Sequence, residues 1–411
     1  MRLLIVNKFW YRRGGLERLV FDEVDWLTAA GHEVSHFACD HPRNEPSPYG
    51  EYFAPYLELG TEGDLTTAEE VLAAARMFHN AAAARGFARL LDAARPDVVH
   101  VHGIHRQLST SILRAARERG VPVVMTVHDY NPICPADLLV RGDGSVCWPP
   151  RCTRYDLTPC VTYACMRGRK GVSLLAAAEL FWRRWVAHCQ RLVAEFVTPS
   201  RFLADAMRRR GWGDGAMTLI PNAVQLPAPA ADGDGGGDYF LFAGRVSREK
   251  GAHTIVAAAE RAGVRLVVAG EGPLREELVR RRPTGVEFLG EVEVSEVWRR
   301  LDDALALCVP SEWCENASIS ALEGLAVGRP VIASRIGGLP ELVRDGVDGI
   351  LVEPGDVEGF AAALKRVAGD RDEARRMGAA GRRRAATEFA PAKHVEQLEA
   401  VYRRVVGGGE A

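Results

Sequence analysis

Two glutamates, Glu315 and Glu323, lie on either side of a predicted turn from a strand into a helix. The strand is the apolar run 304–309, Pro310 ends it, and apolar residues return at helical spacing from about Ala317. The first N–H groups of a helix have no partner within the helix, so an anion can bind there. Along a helix the two carboxylates would be roughly 12 Å apart, about the span from the ribose to the sugar of a sugar nucleotide. The pair therefore indicates a site for such a molecule, and the alternative is a capped helix with two surface glutamates.

A cationic turn follows the predicted strand 239–243. This turn, residues 244–251 with the sequence GRVSREKG, places Arg245 and Lys250 where a strand gives way to a helix. Guanidinium and ammonium groups at such a point suit a diphosphate. The alternative is that both are solvated loop cations.

Glycines mark two further strand-end turns. Gly270 and Gly272 lie where a base ring could rest against the backbone. Gly14 and Gly15 lie in the first strand-to-helix loop, where backbone can approach a phosphate or a sugar closely. Most such pairs are only turns, so neither motif is specific by itself.

Five cysteines crowd into a predicted insert, residues 130–170, that is also rich in Gly, Pro, Arg and aromatic residues. Four thiolates could hold a structural zinc ion and stiffen a loop that has no core of its own. The spacings contain no C-x2-C, so reduced thiols and disulfides remain as alternatives. The candidate ligands are Cys134, Cys147, Cys152, Cys160 and Cys165.

Two other groups of residues admit more than one function. His100, His102 and His105 end or follow a predicted strand and could line an acceptor site. Their spacing also suits a metal site, but the sequence shows no carboxylate near them.

The segment 180–186, LFWRRWV, could lie on an anionic membrane surface and reach a lipid-linked acceptor. The alternative is a helix that packs in the first domain and has its arginines on the solvent-exposed face.

Length and charge narrow the class of protein. A chain of 411 residues exceeds one hydrophobic core and predicts two domains. The formal net charge of −2, from 52 basic and 54 acidic residues, argues against nucleic-acid binding. The apolar run after Met1 is too short for a signal peptide, and no run approaches the roughly eighteen apolar residues of a membrane span. We therefore expect a cytoplasmic protein, which could also bind peripherally to the inner face of the membrane. In that compartment the cysteines are expected to be mostly reduced or metal-bound.

The elements that position these residues alternate between strand and helix. This alternation predicts an α/β fold in which two doubly wound, Rossmann-like domains face a central cleft at the carboxyl ends of their sheets. The first domain is 1–225, with the terminal helix 391–411 able to pack back onto it, and the second is 226–390, beginning with the linker 226–238. The predicted strands are 3–6, 33–38, 97–102, 121–128, 196–199, 239–243, 265–269, 286–289, 304–309, 331–334 and 349–352.

The ordered set of motifs resembles the retaining family 4 glycosyltransferases of the GT-B fold. The likeness covers nearly the whole chain, and segments 7–18, 31–52 and 100–109 look like those of bacterial enzymes that build polysaccharides or natural products. The motifs are residues 244–251, 270–273, 309–324, Gly337-Gly338-Leu339-Pro340-Glu341, Gly14-Gly15, Val127-His128-Asp129 and Ile220-Pro221-Asn222.

The resemblance implies a role for each matching residue. Arg245 and Lys250 would hold the donor diphosphate, Glu323 the ribose hydroxyls and Glu315 the transferred sugar. The remaining donor-site residues would be the N–H groups of Asn316, Ala317 and Ser318 at the phosphates, Gly270 and Gly272 at the base, Gly14 and Gly15 at the diphosphate or acceptor, and His128 near the reacting carbon.

The chain departs from the family pattern at two places. Leu305 replaces an aspartate that is frequent there, and since this position reads as interior strand we expect a structural exchange. The segment 315–318 lacks a proline common in close relatives, which leaves the shape of that loop open.

These observations predict a retaining, metal-independent transfer of a sugar from a nucleotide-sugar donor, UDP-linked in most such families. The acceptor would be a carbohydrate, a lipid-linked molecule or a small molecule such as a natural product. No Asp-x-Asp stands beside the donor site, and cationic side chains can stabilise the leaving diphosphate instead. The alternatives are a sugar-nucleotide epimerase or phosphorylase on the same fold, and a non-catalytic partner protein that only binds the nucleotide sugar.

Overall fold

The computed structural model describes residues 1–56, 67–212, 216–227 and 237–408. Contacts divide the chain into two units. Unit 1 comprises Met1–Pro199, Leu203–Ile220 and His394–Ala411, and unit 2 comprises Ser200–Phe202 and Pro221–Lys393. Most of the predicted linker 226–238 lies outside the described residues.

Unit 1 is built on a six-stranded parallel sheet in the order β2-β1-β5-β6-β7-β8. Strands β3 and β4 form a separate short parallel pair. The strands of this part of the chain are β1 Arg2–Asn7, β2 Glu33–Phe37, β3 Cys39–Asp40, β4 Ala54–Pro55, β5 Val98–Gly103, β6 Val123–Thr126, β7 Glu195–Thr198 and β8 Ala216–Leu219. Its helices are α1 Gly15–Ala29, α2 Thr67–Phe78, α3 Ala81–Ala94, α4 Ser111–Glu118, α5 Thr158–Thr162, α6 Lys170–Trp185 and α7 Arg201–Arg209, with 3-10 turns at Gly50–Tyr52 and Cys189–Arg191.

Unit 2 repeats the pattern with a second six-stranded parallel sheet, in the order β11-β10-β9-β12-β13-β14. Its strands are β9 Tyr239–Ala243, β10 Arg265–Ala269, β11 Val286–Gly290, β12 Leu307–Val309, β13 Val331–Ser334 and β14 Gly349–Val352. Its helices are α8 Ala252–Ala262, α9 Arg275–Arg280, α10 Val294–Asp303, α11 Ile319–Val327, α12 Leu339–Leu342, α13 Val357–Gly369 and α14 Arg371–Glu388.

Alternate side chains of the second sheet enter two different cores. Phe240 and Phe242 pack in one cluster with residues of α8 and α13, whereas Leu241 packs in the other with residues of α11 and α14. Successive side chains of a strand point to opposite faces, so a sheet covered by helices on both sides needs apolar residues at every position. This requirement explains the continuous apolar runs from which both sheets were predicted.

The last helix, α15 Pro391–Gly407, packs on the sheet of unit 1. Leu398 and Tyr402 join the apolar cluster formed by strands β1, β5, β6 and β7. The Arg404 guanidinium also donates to the Glu195 carboxylate on β7, with Nε 2.9 Å from Oε2. The C-terminal segment therefore completes the core of unit 1.

Several elements differ from the sequence prediction. Strand β8 and the β3–β4 pair were not predicted, because short segments carry little periodicity. Helix α11 begins at Ile319 instead of near Ala317, so Glu315 lies in the preceding loop and the 12 Å helical separation from Glu323 does not apply. Leu305 precedes β12 rather than lying inside it, but it is buried in an apolar cluster, as a structural exchange requires.

Both interpretations of segment 180–186 placed its arginines on a surface, and this is wrong. Arg183 and Arg184 on α6 are only 2% and 5% exposed. Arg183 donates to the backbone oxygen of Asn131 at 2.8 Å, and Arg184 donates to that of Gly211 at 3.0 Å. Five donors on each guanidinium allow it to satisfy buried carbonyl groups. Within the ranges given above, no helix combines the length and the apolar character needed to cross a bilayer.

Candidate functional site

In unit 2 the cationic turn 244–251 is bound to the loop that follows β12. The backbone N–H of Glu312 donates to the carbonyl oxygen of Glu249 at 2.9 Å. Gly251 has a φ of +69°, and a Cβ added there would meet the Pro310 carbonyl oxygen at 1.8 Å. Only glycine tolerates both that backbone conformation and that approach. The two segments singled out from the sequence therefore lie together.

Lys250 and Glu315 form an ion pair between those segments. Lys250 Nζ lies 2.6 Å from Glu315 Oε1, and the Ser311 hydroxyl donates to the same oxygen at 2.7 Å. Burial alone would raise the pKa of Glu315, but the Lys250 charge and these hydrogen bonds outweigh it and lower the pKa. Glu315 is therefore ionised at neutral pH and held in a fixed position, since its side chain is only 7% exposed.

Arg245 stands apart from that pair. Its side chain is 63% exposed, and its one ionic contact is a 3.7 Å approach to Glu249. An exposed pair at this distance contributes little to stability. The guanidinium is therefore available to an anion from solution.

The three residues assigned to phosphate binding directly precede helix α11. Ser318 is its N-cap, and its hydroxyl accepts from the N–H of Ala321 at 3.3 Å. Asn316 and Ser318 are buried, and the Asn222 side-chain amide donates to the Ala317 carbonyl at 3.5 Å. Glu323 lies one turn inside the helix and is 5% exposed. The segment is thus a short, ordered loop that ends in a capped helix.

The Gly337–Gly338 pair, which the sequence singled out without a role, supports this loop. The N–H of Gly338 donates to the Glu315 carbonyl at 2.7 Å. Gly337 has a φ of +61°, and an added Cβ would meet that same carbonyl oxygen at 2.2 Å. The two glycines therefore fix the backbone that carries Glu315.

Replacing Gly337 with alanine should disturb that support. We expect a loss of about 1–2 kcal/mol for the positive φ, and about 1–3 kcal/mol more for the clash. Gly346→Ala is the matched control, because Gly346 has a φ of +72° but nothing within 4 Å of an added Cβ. Chemical denaturation gives both free energies of unfolding, and equal losses in the two variants would contradict the proposed contact.

Gly270 and Gly272 meet the cationic turn by backbone contact. An added Cβ would lie 2.0 Å from the Gly244 carbonyl oxygen at position 270 and 2.4 Å from the Val246 carbonyl oxygen at position 272. The N–H of Val246 also donates to the Glu271 carbonyl at 2.9 Å. These glycines therefore shape the turn that carries Arg245, and their predicted contact with a base remains a prediction.

In unit 1, Gly14 and Gly15 form the exposed start of α1. Gly14 is extended at φ −164°, a conformation open to any residue, and an added Cβ would contact only the Glu17 carboxylate, at 3.7 Å. Nothing within unit 1 therefore requires glycine at position 14.

His128 follows β6 and lies at the wall of a small cavity. Burial and the neighbouring His102 lower the pKa of His128 well below its ordinary value, so the imidazole is neutral at pH 7. Its Nε2 lies 2.9 Å from His102 Nδ1. Burial, with Asp137 nearby, raises the pKa of Asp129 to about 6. Other polar residues lining the cavity are Lys8, His105, Arg106 and Asn131.

The statement that no carboxylate lies near the histidines of β5 is wrong. Glu23 on α1 places its Oε1 atom 3.1 Å from His100 Nδ1 and 3.2 Å from His102 Nε2. This contact could not be read directly from the sequence, because Glu23 lies far from both histidines in the chain. A glutamate among the apolar residues of α1 that face the core is the sign that could have indicated it.

The nine cysteines are all free thiols. Among the described residues, Glu23, His100 and His102 are the only set of three or more ligand atoms within 4.8 Å of one another, so no three cysteines of the insert approach one another this closely. The Cys160 thiol hydrogen-bonds Cys165 and lowers the pKa of Cys165 to about 7, whereas burial raises that of Cys134 to about 12. Zinc binding by these cysteines stays a prediction.

Family models match both halves of the chain. The model of "Glycosyltransferase Family 4" matches residues 13–226, and that of "Glycosyl transferases group 1" matches residues 231–384. The glycogen synthase of Mycobacterium tuberculosis is 34% identical over 192 residues, which is 44% of this chain and 46% of that protein. The chain thus spans about half the length of that relative. D-inositol 3-phosphate glycosyltransferase 1 of Catenulispora acidiphila is 30% identical over 76% of this chain and 73% of that protein.

Solved structures share the fold. Sucrose-phosphate synthase from Thermosynechococcus elongatus has a TM-score of 0.72 at 20% identity, covering 99% of each chain. Anabaena HepE, solved with UDP-glucose, has a TM-score of 0.65 at 14% identity, covering 98% of this chain and 100% of its own. Two parallel six-stranded sheets with flanking helices make this the GT-B fold, as expected from the motifs. The family match over residues 13–226, together with the 30% identical relative, shows that the chain belongs to glycosyltransferase family 4.

Proposed function

We propose that the protein transfers a sugar, with retention of anomeric configuration, from a UDP-linked donor to a carbohydrate, lipid-linked or natural-product acceptor. The observation that carries this proposal is the contact between the cationic turn 244–251 and the loop that opens α11. It joins the turn that carries Arg245 to the loop before α11, and it places Lys250 on Glu315, three residues before the N-cap Ser318. Together these groups suit a diphosphate.

The charges of the reaction fit that arrangement. Cleavage of the anomeric C–O bond leaves negative charge on the diphosphate and positive charge on the sugar. Arg245, Lys250 and the start of α11 stabilise the leaving diphosphate, so no metal is required for this step. The acceptor oxygen bonds to the anomeric carbon on the leaving-group face, and its proton passes to a diphosphate oxygen.

We assign the remaining roles on the same basis. Glu315, ionised and fixed by Lys250, accepts hydrogen bonds from hydroxyls of the transferred sugar. Glu323 binds the ribose, and the turn at Gly270–Gly272 receives the base. His128 hydrogen-bonds the sugar as a neutral imidazole, as its lowered pKa allows. Gly14 leaves room for a phosphate or acceptor, because nothing in unit 1 requires a glycine there.

The names of related proteins agree with a UDP-sugar donor but differ in acceptor. Anabaena HepE was solved with UDP-glucose, and AviGT4, at 21% identity and a TM-score of 0.60, is involved in avilamycin A biosynthesis. The curated relatives include synthases of polysaccharide and a glycosyltransferase of inositol phosphate. The cytoplasmic location expected from the sequence stays a prediction.

Glu323→Gln should weaken nucleotide binding without slowing transfer. Losing one charge-assisted hydrogen bond to the ribose raises the Kd for UDP by about tenfold or more, whereas kcat stays within about twofold because the ribose lies away from the reacting carbon. Calorimetry and steady-state kinetics measure the two quantities. Glu358→Gln, which alters only an exposed pair with Arg261, serves as the control. A fall in kcat with an unchanged Kd would contradict the assignment.

A donor screen tests the proposed function against its alternatives. The full chain is incubated with a panel of UDP-, GDP- and ADP-sugars, with and without candidate acceptors, and released nucleotide and new sugar nucleotides are quantified. A transferase releases nucleotide when a matching acceptor is present. Formation of an isomeric sugar nucleotide would instead indicate an epimerase, and tight binding without turnover for any donor and acceptor would indicate a binding protein.

A further inference from the structure

A buried group of ligand-type atoms lies outside the residues used for transfer. Glu23, His100 and His102 are 1%, 0% and 5% exposed. Glu23 Oε1 is 3.1 Å from His100 Nδ1 and 3.2 Å from His102 Nε2, and all three atoms lie within 4.8 Å of one another. The proposed transfer gives neither Glu23 nor His100 a role.

Both distances are those of ion pairs between the Glu23 carboxylate and an imidazole. Glu23 Oε1 and His102 Nε2 are nevertheless buried atoms without a well-formed hydrogen bond. A buried polar atom that is left unsatisfied destabilises the folded state. A cation in contact with both atoms would satisfy both at once.

The outer atoms of the same three side chains are all paired. Metal ligands need such partners, since a hydrogen bond at the far atom fixes the tautomer and the orientation of the ring. The pairs are His100 Nε2 with Thr126 Oγ1 at 2.7 Å, His102 Nδ1 with His128 Nε2 at 2.9 Å, and Glu23 Oε2 with His394 Nε2 at 3.1 Å.

The separations between the three atoms also suit a metal. Two ligands about 2.0–2.1 Å from a tetrahedral Zn²⁺ stand about 3.3–3.4 Å apart, close to the separations seen here.

We propose that Glu23 Oε1, His100 Nδ1 and His102 Nε2 bind one structural Zn²⁺. Tyr402 Oη, 2.7 Å from His100 Nδ1, is the next oxygen atom beside these three ligands. The ion joins α1, β5 and, through Tyr402 and His394, the terminal helix α15. With its Nε2 on the metal, His102 keeps its proton on Nδ1 and donates it to His128 Nε2, which orients the imidazole assigned to the sugar.

Metal analysis of variants tests this site against the cysteines. The full chain, grown with added zinc and purified without chelator, should contain about one zinc per chain by ICP-MS. Glu23→Gln and His102→Gln should reduce this at least tenfold, whereas Cys134→Ser should retain it. His36→Gln is the matched control, because His36 is a buried imidazole of unit 1 that contacts Ser47 at 2.6 Å instead. Folded wild-type protein without metal, or zinc lost on Cys134→Ser but kept in Glu23→Gln, would overturn the proposal.

A second measurement, on wild-type protein, tests the proposal even if the ligand variants do not fold. Wild-type protein is stripped with a chelator, and Zn²⁺ is added back while Tm is recorded. A ligand that binds only the native state raises Tm, so recovery of a lowered Tm is expected. Replacement with Co²⁺ should give ligand-field bands without thiolate-to-cobalt charge transfer. An unchanged Tm on stripping and re-addition, or a thiolate charge-transfer band, would overturn the proposal.

Discussion

Replacing Arg245 with alanine is expected to lower kcat/KM for the donor by about 10²–10³-fold, because the variant loses a cation from the leaving diphosphate. Stability should remain within about 0.5 kcal/mol of the wild type, since the side chain is 63% exposed and only approaches Glu249 at 3.7 Å. Steady-state kinetics and denaturant titration measure the two effects. A loss of activity without a loss of stability would show that Arg245 acts on the donor and does not support the fold.

Arg265→Ala is the matched control for Arg245→Ala. Arg265 is also exposed and also has one acidic partner, Asp238, but it begins β10 and so lies at the amino end of the strands. We expect unchanged kinetics for this variant. Unchanged turnover and donor affinity in Arg245→Ala would remove the diphosphate assignment, whereas equal losses in both variants would point to a general effect of charge.

Lys250→Met should lose both activity and stability. The variant removes a diphosphate cation and leaves the buried Glu315 carboxylate without its ion partner, so we expect at least a 10²-fold fall in kcat/KM and a loss of about 3 kcal/mol in the free energy of unfolding. The double variant Lys250→Met/Glu315→Gln should recover most of the stability and none of the activity. A double variant as unstable as Lys250→Met would show that the ion pair is not the cause.

The Lys250→Met variant should also change how the free energy of unfolding depends on pH, through the titration of Glu315. In the wild type the pKa of Glu315 is lowered, so its contribution to stability is present above the unfolded pKa, about 4.3, and is lost as the pH falls through the folded pKa. Without Lys250 the largest cause that lowers the pKa of Glu315 is lost, whereas burial and the hydrogen bonds from Ser311 and Trp313 remain, so the pKa of Glu315 is higher than in the wild type. Stability of Lys250→Met relative to the wild type should therefore fall as the pH rises from the folded pKa of Glu315 in the wild type to that in the variant. Denaturant titration at a series of pH values measures this difference. Curves of unfolding free energy against pH that run parallel for the two proteins would contradict the prediction.

Most elements could be predicted because local pattern is enough to define them. Strands β9, β10, β13 and β14 have the predicted bounds, since each is a compact apolar run between turn residues. Short or irregular elements were missed, such as β8, which lies at an edge of the sheet and has only four residues. The start of α11 was placed too early, because the N-cap Ser318 lies among several residues that can all cap a helix.

The donor loop was found from sequence, but its support was not. Strand-end position and charge singled out Arg245, Lys250 and Glu315, whereas the backbone contact of Gly337 with Glu315 depends on a loop that is distant in the chain. The burial of Arg183 and Arg184 could likewise not be predicted from the sequence. Long cationic side chains usually reach water, and only the surrounding carbonyl groups show that these two do not.

The sequence by itself determined the alternation of strands and helices, the two sheets, and the segments that carry the donor-site charges, because these follow from periodicity and from neighbours along the chain. Tertiary structure alone decided which side chains meet. Glu23 reaches His100 and His102 only because α1 packs on the sheet beside β5, and α15 adds His394 and Tyr402 from the other end of the chain. Burial then sets their charge states, and no local pattern encodes burial against a distant segment.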